Sequence, residues 1–299
     1  MEEKNKMPKD LQTALDCAVR DSKNISGGYV INDAVTYWNY MRNADWSTFL
    51  SKISGPHKYQ FDNGSGGELK GGKYPPKMAS FGSSSRLVYE LSHSIPGFSF
   101  EERLDTRVGG IAHLDGFCKR ETNYIYVEAK MREIYGASHK NESIKKVYSH
   151  VYEHLQDNIK EFKFEKIEDK TDATKSKVTF KINNEPVTFF DLKQLICHFL
   201  GITYDIAKHP IQNVKVKFLY LLYNPHEIKE SIDKRYRELL IDRYEIVREF
   251  IDNRNNIKVF ESIFQDILSY QVKEQNLPKD TRIEFEMKLV DQNEYIKEF

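Results

Sequence analysis

The sequence predicts an α/β protein in which a central sheet is flanked by helices. Three strand-like runs follow one another closely, at 98–104, 109–118 and 123–131. A buried strand-like run at 214–223 comes after helical segments, and chains that alternate strands with helices build sheets covered by helices. The 299 residues are 39% hydrophobic and 13% aromatic, which is enough apolar material for a sizeable core.

The first part of the chain is predicted to be helical and to end in a loop. Apolar residues recur at helical spacing within 9–54. The glycine-rich stretch at 62–76 has the turn chemistry of a loop. The hydroxyls of Ser83 to Ser85 can then cap the N-terminus of a short helix, which Pro96 and Gly97 end.

The segment after the third strand-like run is predicted to be a long polar helix over 142–164. A charged insertion with a hairpin follows at 165–185. The next helix is expected to end at Gly201, because glycine is favoured immediately after a helix. On that helix Cys197 is predicted to be a core side chain, pointing away from its neighbour His198.

The last part of the chain is predicted to be mainly helical. Residues 226–275 are charged and helical in pattern, and 281–290 alternates like a strand. Three regions are therefore expected: a helical N-terminal region with the glycine-rich loop at 1–79, a core at 80–225, and a helical C-terminal region with a late strand at 226–299.

Composition excludes several classes of protein. Lys plus Arg and Asp plus Glu are both 45, so the net charge of zero rules out a globally basic nucleic-acid coat but leaves room for a local basic groove. Three cysteines without a CxxC pair favour a reducing, intracellular compartment, and we expect a cytoplasmic protein. No run of 18 apolar residues predicts a membrane span, and no secretory signal is expected.

The most informative segment is the pair of strand-like runs at 109–131. In the second run an apolar face, expected to pack inward, alternates with a surface-facing side that carries Tyr124, Tyr126, Glu128 and Lys130. If the hairpin folds symmetrically about Glu121 and Thr122, Asp115 lies directly opposite Glu128. Directly opposite residues have Cβ atoms about 4.5–5.5 Å apart. The hairpin therefore brings two carboxylates and an ammonium together.

Two carboxylates at this separation repel each other unless a cation bridges them. Mg²⁺ accepts such ligands, because it binds one or two protein carboxylates together with waters and substrate phosphates. Lys130 would lie beside that ion, where it could orient a water or stabilise negative charge that develops on a phosphate. The pattern predicts metal-dependent phosphate chemistry.

The spacing of Asp115 and Glu128-Ala129-Lys130 resembles the PD-(D/E)XK nuclease superfamily, specifically a bacterial type II restriction-endonuclease-like group. The similarity covers roughly 80–225. Leu114 stands where the motif has Pro, a position without a ligand role. The stretches that carry the resemblance are SSSRLVYEL, HLDGF, YVEAKMREIYG and FDLKQLICHFLGI. The implied fold is a restriction-endonuclease-like core with a mixed central sheet, extended by helical N- and C-terminal additions.

The resemblance implies roles for the matched residues only. Asp115 and Glu128 would bind Mg²⁺, for which Mn²⁺ can substitute, together with the carbonyl of Ala129. Lys130 would position the attacking water. Two residues outside the motif are assigned by the same resemblance: Glu90 would assist a second metal ion, and Gln194 would face the site from the following helix.

The same resemblance implies an endonuclease that cleaves double-stranded DNA, with a role in restriction or phage defence, and it is compatible with a homodimer. A basic surface is expected beside the hairpin, formed by Lys140, Lys145 and Lys146 at the start of the predicted helix. Lys70 and Lys73 in the glycine-rich loop are further candidates for DNA contacts. A surface of this kind would bind DNA phosphates in a salt-dependent manner.

Three alternatives stay open at the level of sequence. The chain could be a nucleic-acid-binding relative that keeps the fold but not the activity. His150, Glu153 and His154 match the HxxEH zinc-protease motif, with both histidines on one helix face. The segment from Gly67 to Lys73 matches GxxxxGK, but Tyr74 stands where a phosphate-binding loop needs Ser or Thr.

Overall fold

A computed structural model describes most of the chain between its N-terminal region and its last residue. The predicted helices within 9–42 and most of the glycine-rich loop lie outside the described residues. In that described part, no helix is both long and apolar enough to cross a membrane. The described residues are 43–63, 68–70, 76–79, 82–131, 142–145, 148–168, 175–187, 190–208, 214–227, 234–274 and 283–299.

A five-stranded mixed sheet forms the centre of the fold and confirms the predicted α/β class. Its strands are β1 (Phe98–Asp105), β2 (Ile111–Arg120), β3 (Asn123–Lys130), β8 (Val214–Leu222) and β9 (Ile283–Val290). The first three are consecutive antiparallel neighbours. Strand β8 lies parallel to β3 and β9 lies parallel to β8, so the spatial order is β1-β2-β3-β8-β9.

The central strand β3 is buried on both faces. Every residue of β3 from Tyr124 to Lys130 is buried. Strands covered by helices on both sides normally read as continuous apolar runs. The prediction that Glu128 and Lys130 stand on a solvent-facing side of the strand is therefore wrong: both side chains lie inside the protein.

Helices cover the two faces of this sheet. On one face lies α3 (Ser84–Ser92), whose N-terminus is capped as predicted by the Ser83 hydroxyl, which accepts a hydrogen bond from the Arg86 N–H. On the other lies α5 (Leu192–Lys208). Two further pairs complete the shell: α1 (Asn43–Lys52) with α2 (Gly55–Asn63), and α6 (Lys234–Asp252) with α7 (Arg254–Glu274).

The predicted end of α5 at Gly201 is wrong, because the helix continues for seven more residues. Gly201 serves the packing of α5 instead. A Cβ atom at this position would lie 2.8 Å from the Cβ of Leu104 and 3.0 Å from the Cβ of Ala112. The missing side chain lets the helix approach β1 and β2 closely, and this approach sets the height of α5 above the site.

A second, antiparallel sheet lies between β3 and α5 in sequence. The predicted helix over 142–164 is wrong at both ends, since each end forms a strand of this sheet. The predicted hairpin is present as β5 and β6. The elements of this region are β4 (Glu142–Lys145), α4 (Ser149–Asn158), β5 (Phe162–Glu168), β6 (Lys175–Ile182) and β7 (Glu185–Val187). The sheet order is β4-β6-β5, and β7 pairs with β6.

Candidate metal-dependent active site

The β2–β3 hairpin has the predicted register. Gly116 pairs with Val127, and the pairs continue regularly to Arg120 and Asn123. One step beyond the first pair stand Asp115 and Glu128. The backbone N–H of Ala129 donates a 2.8 Å hydrogen bond to Oδ2 of Asp115, so the carboxylate of one strand is fixed against the backbone of the other.

Glu128 and Lys130 form a buried ion pair at the end of β3. The Lys130 Nζ lies 2.7 Å from Oε1 of Glu128, and only 3% of Glu128 and 8% of Lys130 are exposed. The same ammonium donates a 2.6 Å hydrogen bond to Oε1 of Gln194 on α5. Lys130 therefore contacts two other residues named for the site, Glu128 and Gln194.

His198 completes the contacts of Glu128, and no role is predicted for it from the sequence. Its Nε2 lies 3.1 Å from Oε2 of Glu128, and the residue is 2% exposed. Because Gln194 and His198 are four residues apart on α5, they project from the same helix face onto β3. Its neighbour Cys197 packs at the border of the core, with Sγ 3.9 Å from the Tyr148 hydroxyl.

Glu101 is a second residue that the sequence does not single out. The register of β1 and β2 places it opposite Asp115, and it is 7% exposed. Its backbone φ is +54°, a left-handed conformation that costs free energy for a residue with a side chain. The Ser85 hydroxyl of α3 donates a 2.7 Å hydrogen bond to its Oε1. Asp115 thus lies between two other carboxylates.

The carboxylates of Asp115 and Glu128 have opposite pKa shifts. Burial raises the pKa of Asp115 well above its ordinary value, and the charges of Glu128 and Glu101 raise it further. Burial alone would also raise the pKa of Glu128, but the charges of Lys130 and His198 and their hydrogen bonds outweigh burial and lower it to about 2. The pair therefore keeps one firmly ionised carboxylate beside one whose charge is unfavourable.

The donor set of the hairpin fits a hard divalent cation. An ionised carboxylate has two oxygens with about four acceptor sites, so Glu128 keeps acceptor capacity beside its contacts with Lys130 and His198. A cation would also offset the repulsion that raises the pKa of Asp115. Among the described residues no group of three or more His, Cys, Asp or Glu side chains is arranged to hold a metal ion. A Mg²⁺ site built on two protein carboxylates takes its other ligands from water and substrate.

Glu90 is not brought to this cluster by its contacts. It is exposed on α3, and its Oε1 accepts a 2.8 Å hydrogen bond from the Arg86 Nε one turn earlier on the same helix. The acidic neighbour of Asp115 from this part of the fold is Glu101 instead. The resemblance assigned the extra carboxylate to the helix, whereas β1 supplies it.

Three of the five lysines predicted to contact DNA lie outside the described residues: Lys73, Lys140 and Lys146. Lys145 belongs to β4, so the expected start of a helix at this place is wrong. Lys70 is exposed and pairs with Asp62, its Nζ 3.0 Å from Oδ2.

The two histidines of the zinc-protease motif lie between α4 and α7. The rings of His150 and His154 both approach Tyr270, with centroid distances of 6.0 Å and 5.1 Å. The Nε2 of His154 also lies 3.1 Å from Oδ2 of Asp266. These contacts describe a helix–helix junction. The GxxxxGK stretch lies largely outside the described residues.

No protein-family model, curated protein or solved structure matches the chain.

Proposed function

We propose that this chain is a metal-dependent endonuclease that hydrolyses phosphodiester bonds of double-stranded DNA. In this proposal the central sheet is a restriction-endonuclease-like core, and the protein acts in restriction or phage defence. The observation that carries the proposal is the cluster of the half-buried Asp115 with the buried Glu128 and Lys130, in which Gln194 from α5 contacts Lys130. Burying so many charged groups is costly, which is typical of sites selected for chemistry.

Asp115 and Glu128 would hold Mg²⁺, or Mn²⁺ in its place, together with the Ala129 carbonyl. The bound cation supplies Lewis acidity and a positive charge that offsets the charge of the phosphate. The protein contributes the orientation: the Ala129 N–H fixes Asp115, and Lys130 and His198 fix the two oxygens of Glu128.

Lys130 has the role of orienting the attacking water and stabilising charge on the phosphate. Its Nζ is fixed by Glu128 and Gln194, so its position does not change when charge develops. In the reaction a water oxygen bonds to phosphorus, the bond from phosphorus to one sugar oxygen breaks, and that sugar oxygen takes up a proton. A pre-positioned ammonium lowers the barrier of this step because no reorganisation is needed.

Cleavage of DNA with and without metal tests the proposal. The purified full chain is incubated with supercoiled plasmid and with linear duplex in Mg²⁺, in Mn²⁺ and in EDTA. We expect cleavage with either metal and none in EDTA, and we expect Glu128→Gln to bind DNA but leave it intact. A wild-type protein that retards duplex DNA without cutting it would support the non-catalytic relative.

A matched control separates loss of chemistry from loss of fold. Lys217, on β8 of this sheet, also pairs with a glutamate: its Nζ lies 2.8 Å from Oε2 of Glu298 in the C-terminal 3₁₀ turn (Tyr295–Glu298). In the described part of the chain it contacts none of the residues of the proposed site. Lys217→Ala should therefore cut DNA at the wild-type rate. If Glu128→Gln cuts equally well with Mg²⁺, the proposed site is wrong.

A further inference from the structure

His198 is a buried polar residue whose position is not explained by packing. Its ring is 2% exposed and lies beside Phe218, in surroundings that an apolar side chain would fill at lower cost. Within the described residues its buried Nδ1 has no hydrogen-bond partner, and its Nε2 faces the carboxylate of Glu128 across 3.1 Å. An unsatisfied buried polar group typically costs about 1–3 kcal/mol. The contact with Glu128 is the interaction that an apolar side chain at this position could not make.

That contact completes a two-point hold of α5 on the end of β3. Gln194 contacts the Lys130 Nζ, and one turn later His198 Nε2 faces Oε2 of Glu128 across 3.1 Å. The other oxygen, Oε1, contacts Lys130. With one neighbour on each oxygen, the carboxylate plane of Glu128 is fixed before any ligand arrives.

We propose that His198 is a positioning residue that holds the Glu128 carboxylate in the orientation in which it binds a divalent cation. The inference rests on the proposed function, because it assigns the metal to Glu128. In this role His198 contacts the metal-binding carboxylate of Glu128 and touches neither the metal nor the substrate. Hydrogen-bond partners of metal-binding side chains typically contribute about 10–100-fold to metal affinity or activity.

Direct measurement of Mn²⁺ binding to the full chain without DNA tests this role. His198→Leu keeps volume but removes the donor, whereas His198→Gln keeps an N–H donor near the position of Nε2. We expect Leu to weaken Mn²⁺ binding about 10–100-fold and Gln to restore most of the loss. His150→Leu, which changes an exposed histidine on α4, should bind Mn²⁺ like the wild type. Electron paramagnetic resonance of free Mn²⁺ gives the dissociation constants, and thermal unfolding checks each variant.

The outcomes separate this inference from the proposed function. A wild type that binds no Mn²⁺ and cuts no DNA overturns both. A wild type that binds Mn²⁺ and cuts, beside a folded His198→Leu with unchanged Mn²⁺ affinity, overturns the positioning role alone. If His198→Leu does not fold, His198→Gln decides: wild-type affinity supports the role, and a loss of affinity as large as that of Glu128→Gln, with unchanged thermal stability, contradicts it.

Discussion

The central sheet carries a Lys–Glu contact on each of its faces, and the two differ in the balance of charge around them. The contact of Lys130 with Glu128 faces α5 and is accompanied by two further buried or half-buried carboxylates, Asp115 and Glu101. Lys217 on β8 pairs with Ile125 on β3, and Ile125 lies three residues before Glu128. Because successive side chains of a strand point to opposite faces, Lys217 lies on the face opposite to Glu128.

On that other face the balance of charge is reversed. Glu298, in the C-terminal 3₁₀ turn, is contacted by Lys217 and also by Lys288, so two ammonium groups share one carboxylate. Burial alone would raise the pKa of Glu298, but its hydrogen bonds to the two lysines lower it below its usual value. Two lysines share the carboxylate of Glu298, whereas beside Glu128 burial and the charges of neighbouring carboxylates raise the pKa of Asp115. The comparison distinguishes a structural ion pair from a candidate site.

Removing the negative charge of Asp115 should have the largest effect on this comparison. Asp115→Asn keeps an acceptor for the Ala129 N–H and removes the charge that burial and Glu128 make unfavourable. We expect cleavage to fall below detection while the free energy of unfolding at pH 7 rises. Plasmid cleavage and urea denaturation measure the two effects.

The pH dependence of that stability gain has a definite sign. The folded pKa of Asp115 is raised above its unfolded value, so the penalty is present at neutral pH and is lost as the pH falls through the raised pKa. The advantage of Asp115→Asn should therefore disappear in acid. If Asp115→Asn were less stable than the wild type at pH 7, the charge of Asp115 would not be unfavourable in the folded protein, contrary to this account.

Displacing α5 should damage the site without touching it. In Gly201→Ala the new Cβ would meet the Cβ atoms of Leu104 and Ala112, and overpacking of this kind costs about 1–3 kcal/mol. Alanine regains at most about 1 kcal/mol of helix propensity. We expect a lower melting temperature and slower cleavage, because Gln194 and His198 ride on the same helix.

Gly55→Ala is the matched control, since among the described residues no atom beyond its own helix and its chain neighbours lies within 4 Å of its new Cβ. Its melting temperature and cleavage rate should stay close to those of the wild type. Equal behaviour of the two alanine variants would show that the close approach of α5 is not needed.

The smallest effect is expected on the face where Lys217 and Lys288 contact Glu298. Glu298→Gln should reduce the free energy of unfolding at pH 7 by about 0.5–1 kcal/mol, the typical contribution of a partly exposed ion pair, and leave cleavage unchanged. Because the folded pKa of Glu298 is lowered, its stabilisation is present above the usual carboxylate range and is lost as the pH falls through the folded pKa. Denaturant titrations at neutral and acid pH would contradict this if the difference grew in acid.

Local signals in the sequence predicted the framework of the site. The register of the β2–β3 hairpin followed from its turn, and the Ser83 cap followed from a hydroxyl before an apolar run. Gln194 lies in contact with Lys130, and the role that the family resemblance implies for it stays a prediction.

Long-range contacts decided what the sequence could not predict. Alternation along β3 suggested a solvated polar face, but α5 covers that face and buries Glu128. The sequence around His198 is that of an apolar helix and does not indicate that the histidine contacts Glu128. The positive φ of Glu101 cannot be predicted either, because glutamate rarely adopts this conformation. A glycine marks helix ends and close packing alike, so Gly201 was assigned to the wrong one.

The central claim is that the buried Lys130 of this sheet acts in catalysis, whereas the half-buried Lys217 acts only in structure. The most direct test is the single-turnover cleavage rate of Lys130→Ala and Lys217→Ala, measured with protein and Mg²⁺ saturating over labelled duplex DNA. We predict that Lys130→Ala is slower by about 10²–10³-fold, the usual loss for one electrostatic stabiliser, with DNA affinity little changed, and that Lys217→Ala cuts at the wild-type rate. Equal rates for the two variants would contradict the account.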